Sequence, residues 1–150
     1  MGAFAVQLAA FLGAQVTATG RHGDAGFVRS LGAASFISAE NGGLPDQSTD
    51  GFDVVIDTVG GAVLDASYAL MRAGGRLVTL GAPPSEEKAK EFGVHAMFFV
   101  VTPDPGELTR LAGLVDDGRL RTVVSQAFPL CDGRRAFESG GRPGRRAKRS

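Results

Sequence analysis

The sequence has few of the residues that form disulfides and metal sites. Its 150 residues include one cysteine, Cys131, and two histidines, His22 and His95. A single cysteine excludes an intramolecular disulfide framework and a cysteine-rich zinc knuckle, and the histidines are too far apart to suggest a metal site. This composition suits a reducing compartment. We therefore predict a cytoplasmic protein that binds no zinc.

Neither sign of charge is in excess. Sixteen lysines and arginines balance sixteen aspartates and glutamates, so the formal net charge is zero. A balanced chain has no overall basic field for nucleic acid and no acidic excess typical of disorder. The last residues, Gly140 to Ser150, are mostly glycine and basic side chains. We predict a disordered basic tail there, solvated and without nucleic-acid contacts.

No apolar run is long enough to cross a membrane. The longest, residues 1–16, falls short of the roughly 18 residues that a span requires. A signal peptide would carry basic residues before its apolar region, whereas the first basic residue here is Arg21. We predict a helix packed under a sheet, ending at Gly13, and no membrane partner.

Helix-forming and strand-forming patterns alternate along the chain, which indicates an α/β fold with a doubly wound parallel sheet. We predict strands at Gln15–Thr19, Ala33–Ser38, Val54–Asp57, Leu77–Leu80 and His95–Val101, and a β-prone segment at Leu120–Phe128. We predict helices at Asp24–Leu31, Val63–Met71, Glu86–Phe92, Pro105–Gly118 and Asp132–Glu138. Asp24 would cap the first of these, and Gly74-Gly75 would stop the chain after the second. The helix from Pro105 would have an apolar face of Leu108, Leu111, Leu114 and Val115. We interpret Asn41–Gly51 as a surface loop.

The predicted fold is arranged around the segment Phe52–Gly61. Its unbroken β-branched run, Val54 to Ile56, is typical of a parallel strand covered on both faces. Asp57 and Thr58 follow, and then two glycines that allow the backbone a sharp turn. Ligands of open parallel sheets bind at this carboxyl end, so the turn is a candidate binding site.

Seven short segments, in this order, carry a resemblance to a known family. They are Gly2-Ala-Phe-Ala-Val-Gln-Leu-Ala9, Arg29-Ser-Leu-Gly-Ala33, Phe52-Asp-Val-Val-Ile-Asp-Thr-Val-Gly-Gly61, Gly74-Gly-Arg-Leu-Val78, Phe98-Phe-Val-Val-Thr-Pro103, Leu114-Val-Asp-Asp-Gly-Arg-Leu120 and Phe128-Pro-Leu130. Together they resemble the cofactor-binding half of the medium-chain dehydrogenase/reductase family, in its zinc-independent quinone oxidoreductase branch, often labelled "zinc-binding dehydrogenase".

The resemblance implies an NADPH-dependent (NADP) oxidoreductase that transfers hydride between nicotinamide and a small carbonyl, enone or quinone substrate. It implies a Rossmann-type domain over residues 1–128 that lacks its first strand and the N-terminal GroES-like catalytic domain. Residues 129–139 would return to that domain. A homo-oligomer is compatible with the family, and no catalytic residue is assigned. We expect the chain alone to reduce neither quinones nor enones, because the substrate-holding domain is missing.

The resemblance also implies cofactor contacts. Gly2 would correspond to the last glycine of the pyrophosphate-binding turn. Asp57 to Gly61, and Gly81 after the strand Leu77–Leu80, would approach the ribose and nicotinamide. The backbone of residues 98–100 would meet the carboxamide, with core packing the alternative for the two phenylalanines. The implied set is Gly2, Arg21, Asp57, Thr58, Val59, Gly60, Gly61, Gly81, Phe98, Phe99 and Val100.

The predicted cofactor preference, NADPH over NADH, depends on Arg21. No acid lies in the predicted strand before it, where a carboxylate would bind the ribose 2′-hydroxyl of NADH, whereas an arginine accepts the 2′-phosphate of NADPH. The sequence therefore favours NADPH, with an exposed surface arginine as the alternative.

Two other functions stay open. Residues 52–56 and 70–78 also resemble strands of S-adenosylmethionine methyltransferases, although the acidic glycine-rich loop of that fold is absent. The second alternative function is that of a non-catalytic nucleotide-binding or interaction module.

The absent first strand would lie between Gln15–Thr19 and Val54–Asp57, leaving a gap of about 9 to 10 Å. We predict that Phe52–Val101 keeps its sheet, while Met1–Ser38 docks loosely, pairs directly with the Val54 strand, or is completed by another chain.

Overall fold

The fold is known from a computed structural model that describes residues 1–39, 44, 50–124 and 126–140. Helices and strands alternate through most of the chain, as the sequence predicts. The strands are β1 (Thr17–Gly20), β2 (Ser35–Ser38), β3 (Phe52–Asp57), β4 (Met71–Thr79) and β5 (His95–Phe98). The helices are α1 (Gly2–Phe11), α2 (Ala25–Ser30), α3 (Gly61–Ser67), α4 (Glu86–Glu91), α5 (Pro105–Asp116) and α6 (Gly133–Gly140), with short 3₁₀ turns at His22–Asp24, Tyr68–Leu70 and Leu130–Asp132.

The strands form two separate parallel sheets. β1 pairs with β2, and the second sheet has the order β3-β4-β5. Among the described residues no strand pairs β1 with β3. The parallel α/β fold is therefore confirmed, and direct re-pairing of the first half against the Val54 strand does not occur.

Each sheet has its own hydrophobic core. The cluster on the three-stranded sheet consists of Leu64, Tyr68, Met71, Leu77 and Val94. The smaller cluster on the two-stranded sheet consists of Val6, Ala18, Leu31 and Ala33. Because apolar burial is the main driving force for folding, two separate clusters indicate two units joined by less buried surface than an undivided sheet would provide.

A cavity of about 350 Å³ lies between the sheets, lined by α1, β1 and β3. Val54 and Ile56 line it on β3 and are 51% and 46% exposed. The prediction that both faces of this strand are covered is therefore wrong. The two side chains share one face of the strand, and the space beside them is open.

The boundary between α3 and β4 differs from the prediction. The helix ends at Ser67, a 3₁₀ turn follows, and β4 begins at Met71 rather than at Leu77. Gly74, with a φ of 78°, and Gly75 lie inside this strand. A Cβ on Gly75 would lie 3.1 Å from the carbonyl oxygen of Phe52, and the β3–β4 register shifts at this point. The two glycines therefore form a bulge, not a stop.

The aspartates that precede α5 and α2 act differently, and of these two only Asp24 was predicted as a cap. Asp104 begins α5, and its carboxylate accepts the Glu107 N–H at 2.9 Å. Asp24 precedes α2 without capping it through its side chain. Its carboxylate instead accepts the backbone N–H of Arg21 at 3.2 Å, so it closes the turn between β1 and α2.

The second half of the chain is less covered than predicted. On α5, Leu108 is 63% exposed and Val115 is 40% exposed. β5 ends at Phe98, short of Val101, and none of the described residues in 120–128 forms a strand. The final helix, α6, extends to Gly140 instead of Glu138. Most of the predicted 41–51 loop, and the tail from 141 onward, lie outside the described residues.

Candidate functional site

The carboxyl ends of β3 and β4 lie side by side and end in polar residues. Asp57 and Thr79, the last residues of these strands, are register partners. Asp57 is 4% exposed and Thr79 is fully buried. The Thr79 hydroxyl lies 3.0 Å from Oδ2 of Asp57. A buried carboxylate and hydroxyl therefore meet at the edge where parallel sheets bind ligands.

The turn after β3 folds back onto the Asp57 carboxylate. Its oxygens accept the N–H of Gly60 at 3.1 and 3.0 Å and the N–H of Val59 at 3.2 Å. Gly60 has a φ of 79°, which favours glycine, and it precedes the first residue of α3. Asp57 thus lies at the predicted place, but both of its oxygens are already bonded to the turn and to Thr79.

The turn after β4 packs closely against the turn after β3. A Cβ on Gly81 would lie 3.0 Å from the Gly60 nitrogen and 3.1 Å from the Val59 carbonyl carbon. A side chain at this position would therefore require the neighbouring backbone to shift by a few tenths of an ångström. In contrast, a Cβ on Gly61 would meet nothing within 4 Å. Gly81 brings the two turns together, and Gly61 leaves open space beside them.

The segment after β5 joins the same edge. The N–H of Phe99 donates to the Thr79 carbonyl at 2.9 Å, so this amide is not available to a ligand. Phe98 and Phe99 are 42% and 49% exposed, and Val100 is 70% exposed. Such exposure does not support the alternative in which the phenylalanines pack in the core.

The first turn of α1 lies close to the end of β3. A Cβ on Gly2 would lie 3.8 Å from Oγ1 of Thr58. Met1 provides no side-chain cap, and the first intrahelical bonds are donated by Phe4 and Ala5. The amides of the first turn of a helix are unpaired donors at the positive end of its dipole, an arrangement that favours phosphate.

Arg21 lies on the other sheet, directly after β1, and is exposed. The nearby Asp24 carboxylate accepts the Arg21 N–H, and its Oδ2 would lie 3.5 Å from a Cβ on Gly20. The sequence-based prediction considered only acids before Arg21 for the cofactor preference and assigned Asp24 as a helix cap. The signal was present, since an aspartate at the start of a helix commonly bonds a backbone amide of the turn in which it lies.

The implied residues therefore fall into two groups. One group lies around the ends of α1, β3, β4 and β5 and consists of Gly2, Asp57, Thr58, Val59, Gly60, Gly61, Gly81, Phe98, Phe99 and Val100. The other is Arg21 alone, directly after β1. Within the described ranges, no group of three or more His, Cys, Asp or Glu side chains could hold a metal ion. The donor set does not fit a zinc site, and the absence of zinc stays a prediction.

No helix in the part of the chain that the structure describes is long and apolar enough to cross a membrane. The cytoplasmic location stays a prediction.

Comparisons with known proteins show the family and the fold of the chain. The profile of a family described as zinc-binding dehydrogenase matches residues 31–144. The spectinabilin polyketide synthase system protein NorB of Streptomyces orinoci is 33% identical over 91% of this chain, which spans 7% of NorB. The mitochondrial NAD(P)H oxidoreductase RTN4IP1 of Danio rerio is 26% identical over 92% of this chain, which spans 42% of that protein.

A solved structure, the quinone oxidoreductase from Coxiella burnetii, superposes with a TM-score of 0.77 at 26% identity. It covers 94% of this chain, which spans 46% of that structure. The chain thus spans less than half the length of these relatives. The profile match and the shared fold place it plainly: the chain belongs to the zinc-binding dehydrogenase family, among the medium-chain dehydrogenase/reductases, and has the Rossmann-like fold of the C-terminal domains of quinone oxidoreductases.

Proposed function

We propose that this chain is the dinucleotide-binding part of an NADPH-dependent oxidoreductase that exchanges hydride with a small quinone, enone or carbonyl compound. The observation that carries the proposal is the convergence of the α1 start with the turns after β3 and β4. Unpaired helix amides there would receive the pyrophosphate, and the closely packed glycine turns would lie beside the ribose and nicotinamide. The relatives named as quinone or NAD(P)H oxidoreductases support this reaction class.

The nicotinamide supplies the hydride chemistry when it is bound, and the protein positions it. This chain would contribute the surface formed by the turns after β3 and β4, around which Thr58, Gly61 and the segment after Phe98 are exposed or half-buried. The family match does not support a methyltransferase. A non-catalytic nucleotide-binding role for the chain alone stays open to test, as does our expectation that it shows no quinone turnover by itself.

Preference for NADPH over NADH rests on Arg21. Its exposed cation at the end of β1 suits a 2′-phosphate, whereas a carboxylate there would suit a 2′-hydroxyl. Asp24 supplies such a carboxylate, but that group accepts the Arg21 N–H and so helps to fix the turn that carries the arginine. We infer that the arginine determines the preference.

Fluorescence titration of the full chain with NADPH and NADH tests this proposal. We expect tighter binding of NADPH, and we expect Arg21→Ala to weaken it by about 1.5–3 kcal/mol while leaving NADH affinity nearly unchanged. Arg110→Ala is the control, because it removes the same charge from α5, where Arg110 pairs with Glu107 at an exposed position.

Equal affinities for the two nucleotides would contradict the preference, and so would an unchanged preference in Arg21→Ala. Asp24→Asn separates the two residues. If Asp24 bound a ribose hydroxyl, this variant would lose NADH affinity selectively.

A further inference from the structure

We propose that Asp57 and Thr79 are positioning residues for the nicotinamide half of the cofactor, and that neither of them contacts it. The inference rests on the proposed function and deepens it. The family resemblance implies that Asp57 approaches the ribose and nicotinamide. The contacts of its carboxylate indicate another role, namely to hold the turns after β3 and β4 as one preformed surface.

The first step concerns the proton of the Thr79 hydroxyl. Oγ1 lies 3.0 Å from Asp57 Oδ2 and 3.0 Å from the Ala82 carbonyl oxygen, but a hydroxyl has only one proton to donate. The carboxylate is the stronger acceptor, because hydrogen bonds to charged groups are roughly twice as strong as neutral ones. We therefore assign the proton to the bond with Asp57.

The second step concerns what the hydroxyl accepts. With its proton directed at Asp57, Oγ1 can accept the N–H of Gly81 at 3.3 Å and the N–H of Ala82 at 3.5 Å. The carboxylate accepts the N–H groups of Val59 and Gly60 on its other side. The Asp57–Thr79 bond thus connects the backbone of one turn to the backbone of the next.

The third step concerns the rigidity of this connection. Both side chains are buried, so each lost bond would leave a polar group without water to replace its partner. The backbone adds two further links, from the Leu80 N–H to the Asp57 carbonyl at 2.9 Å and from the Phe99 N–H to the Thr79 carbonyl at 2.9 Å. The ends of three strands are therefore joined through two residues.

A positioning role predicts a selective loss of affinity. The turns after β3 and β4 would contact the nicotinamide half, whereas Arg21 on the other sheet would contact the adenine half. In Thr79→Val the hydroxyl is replaced by a methyl group of similar size. We expect this variant to bind NADPH about tenfold or more weakly and to bind 2′,5′-ADP, which lacks the nicotinamide half, within about twofold of the unsubstituted chain.

Three other variants complete the titration. Thr79→Ser keeps the hydroxyl and should restore NADPH affinity to within about threefold. Thr109→Val is the matched control, because Thr109 is an exposed residue of α5 whose hydroxyl donates to the Pro105 carbonyl. Asp57→Asn replaces one acceptor oxygen with an amide group and should show the same selective loss, which keeps the test decisive if Thr79→Val does not fold.

Amide hydrogen exchange provides a readout that needs no nucleotide. We expect the amides of Gly60 and Gly81 to exchange faster in Thr79→Val than in the unsubstituted chain, and Thr79→Ser to protect them again. Unchanged exchange at both amides would overturn the inference.

The possible failures are distinguishable. If the unsubstituted chain binds neither NADPH nor 2′,5′-ADP, the proposed function is wrong and the positioning role falls with it. If the unsubstituted chain binds NADPH and 2′,5′-ADP, and Thr79→Val binds each of them as tightly as the unsubstituted chain does, the proposed function stands and only the positioning role is overturned. An equal loss of both ligands in Thr79→Val, whether or not Thr79→Ser rescues it, would indicate a merely structural role and would also overturn the inference.

Discussion

Gly81 shows how one missing side chain shapes the candidate site. A Cβ there would approach the backbone of Val59 and Gly60 to about 3 Å, where neither neighbour is a flexible side chain that could move aside. We predict that Gly81→Ala lowers the free energy of unfolding by about 1–3 kcal/mol, as overpacking of a tight contact does. Urea denaturation followed by circular dichroism measures the change.

Gly113→Ala is the matched control for that substitution. Gly113 lies inside α5, and a Cβ there would meet nothing within 4 Å. Alanine is the better helix former, so we expect this variant to gain up to about 1 kcal/mol. Equal stability of the two variants would show that the turns after β3 and β4 are not packed as described.

At the residue scale, the sequence predicts a candidate ligand-binding turn but not the partners of each side chain in it. A β-branched run followed by Asp57, Thr58 and two glycines predicts a ligand-binding turn, because that pattern is local. One partner of the Asp57 carboxylate is Thr79, 22 residues further along the chain. No local pattern contains that partner, so the positioning role could be inferred only from the structure.

At the scale of elements, α1 is attached to the second half of the chain by Gln7. This side chain is 6% exposed, accepts the Arg121 N–H at 2.8 Å, and donates to the carbonyls of Arg121 and Ala3 at 3.1 Å. We predict that Gln7→Ala lowers the free energy of unfolding by about 1–3 kcal/mol, because it leaves partly buried backbone groups without partners.

The control for Gln7→Ala is Gln15→Ala, which truncates the same side chain at an exposed position and should change stability by less than about 0.5 kcal/mol. Thermal unfolding measures both variants. A loss in Gln7→Ala no greater than in the control would contradict the attachment of α1 through Arg121.

The elements that the sequence predicted well are those with their own local signals. α4 and α5 begin at residues whose side chains bond the helix backbone, Ser85 and Asp104. The prediction failed for β4, whose early start at Met71 depends on pairing with Phe52, and for the β-prone residues 120–128. Strand formation requires a partner edge, and the Arg121 backbone bonds to Gln7 instead.

At the scale of the whole molecule, the divided sheet predicts divided stability. β3, β4 and β5 share one hydrophobic core, whereas the two-stranded sheet of β1 and β2 has a smaller hydrophobic core. A two-stranded sheet is marginal on its own. We predict that amides of β4 are protected from hydrogen exchange at least about tenfold more than those of β1.

Hydrogen exchange of the full chain as a monomer, read residue by residue, tests this prediction. Equally slow and cooperative exchange across both sheets would show that the cavity between them does not weaken the fold. Among the described residues, the two separate sheets agree with the gap predicted between β1 and β3. Local patterns do not predict how the first half packs, because that depends on distant residues such as Arg121.

The central claim is that a nicotinamide dinucleotide binds across the carboxyl ends of the strands. Nuclear magnetic resonance of the ¹⁵N-labelled full chain, titrated with NADPH, tests it most directly because every backbone amide reports separately. We predict that the largest shifts occur at Gly2, Arg21, Gly60 and Gly81, with little change at Gly113 on α5. Shifts confined to other surfaces, or no saturable shifts at all, would contradict the claim.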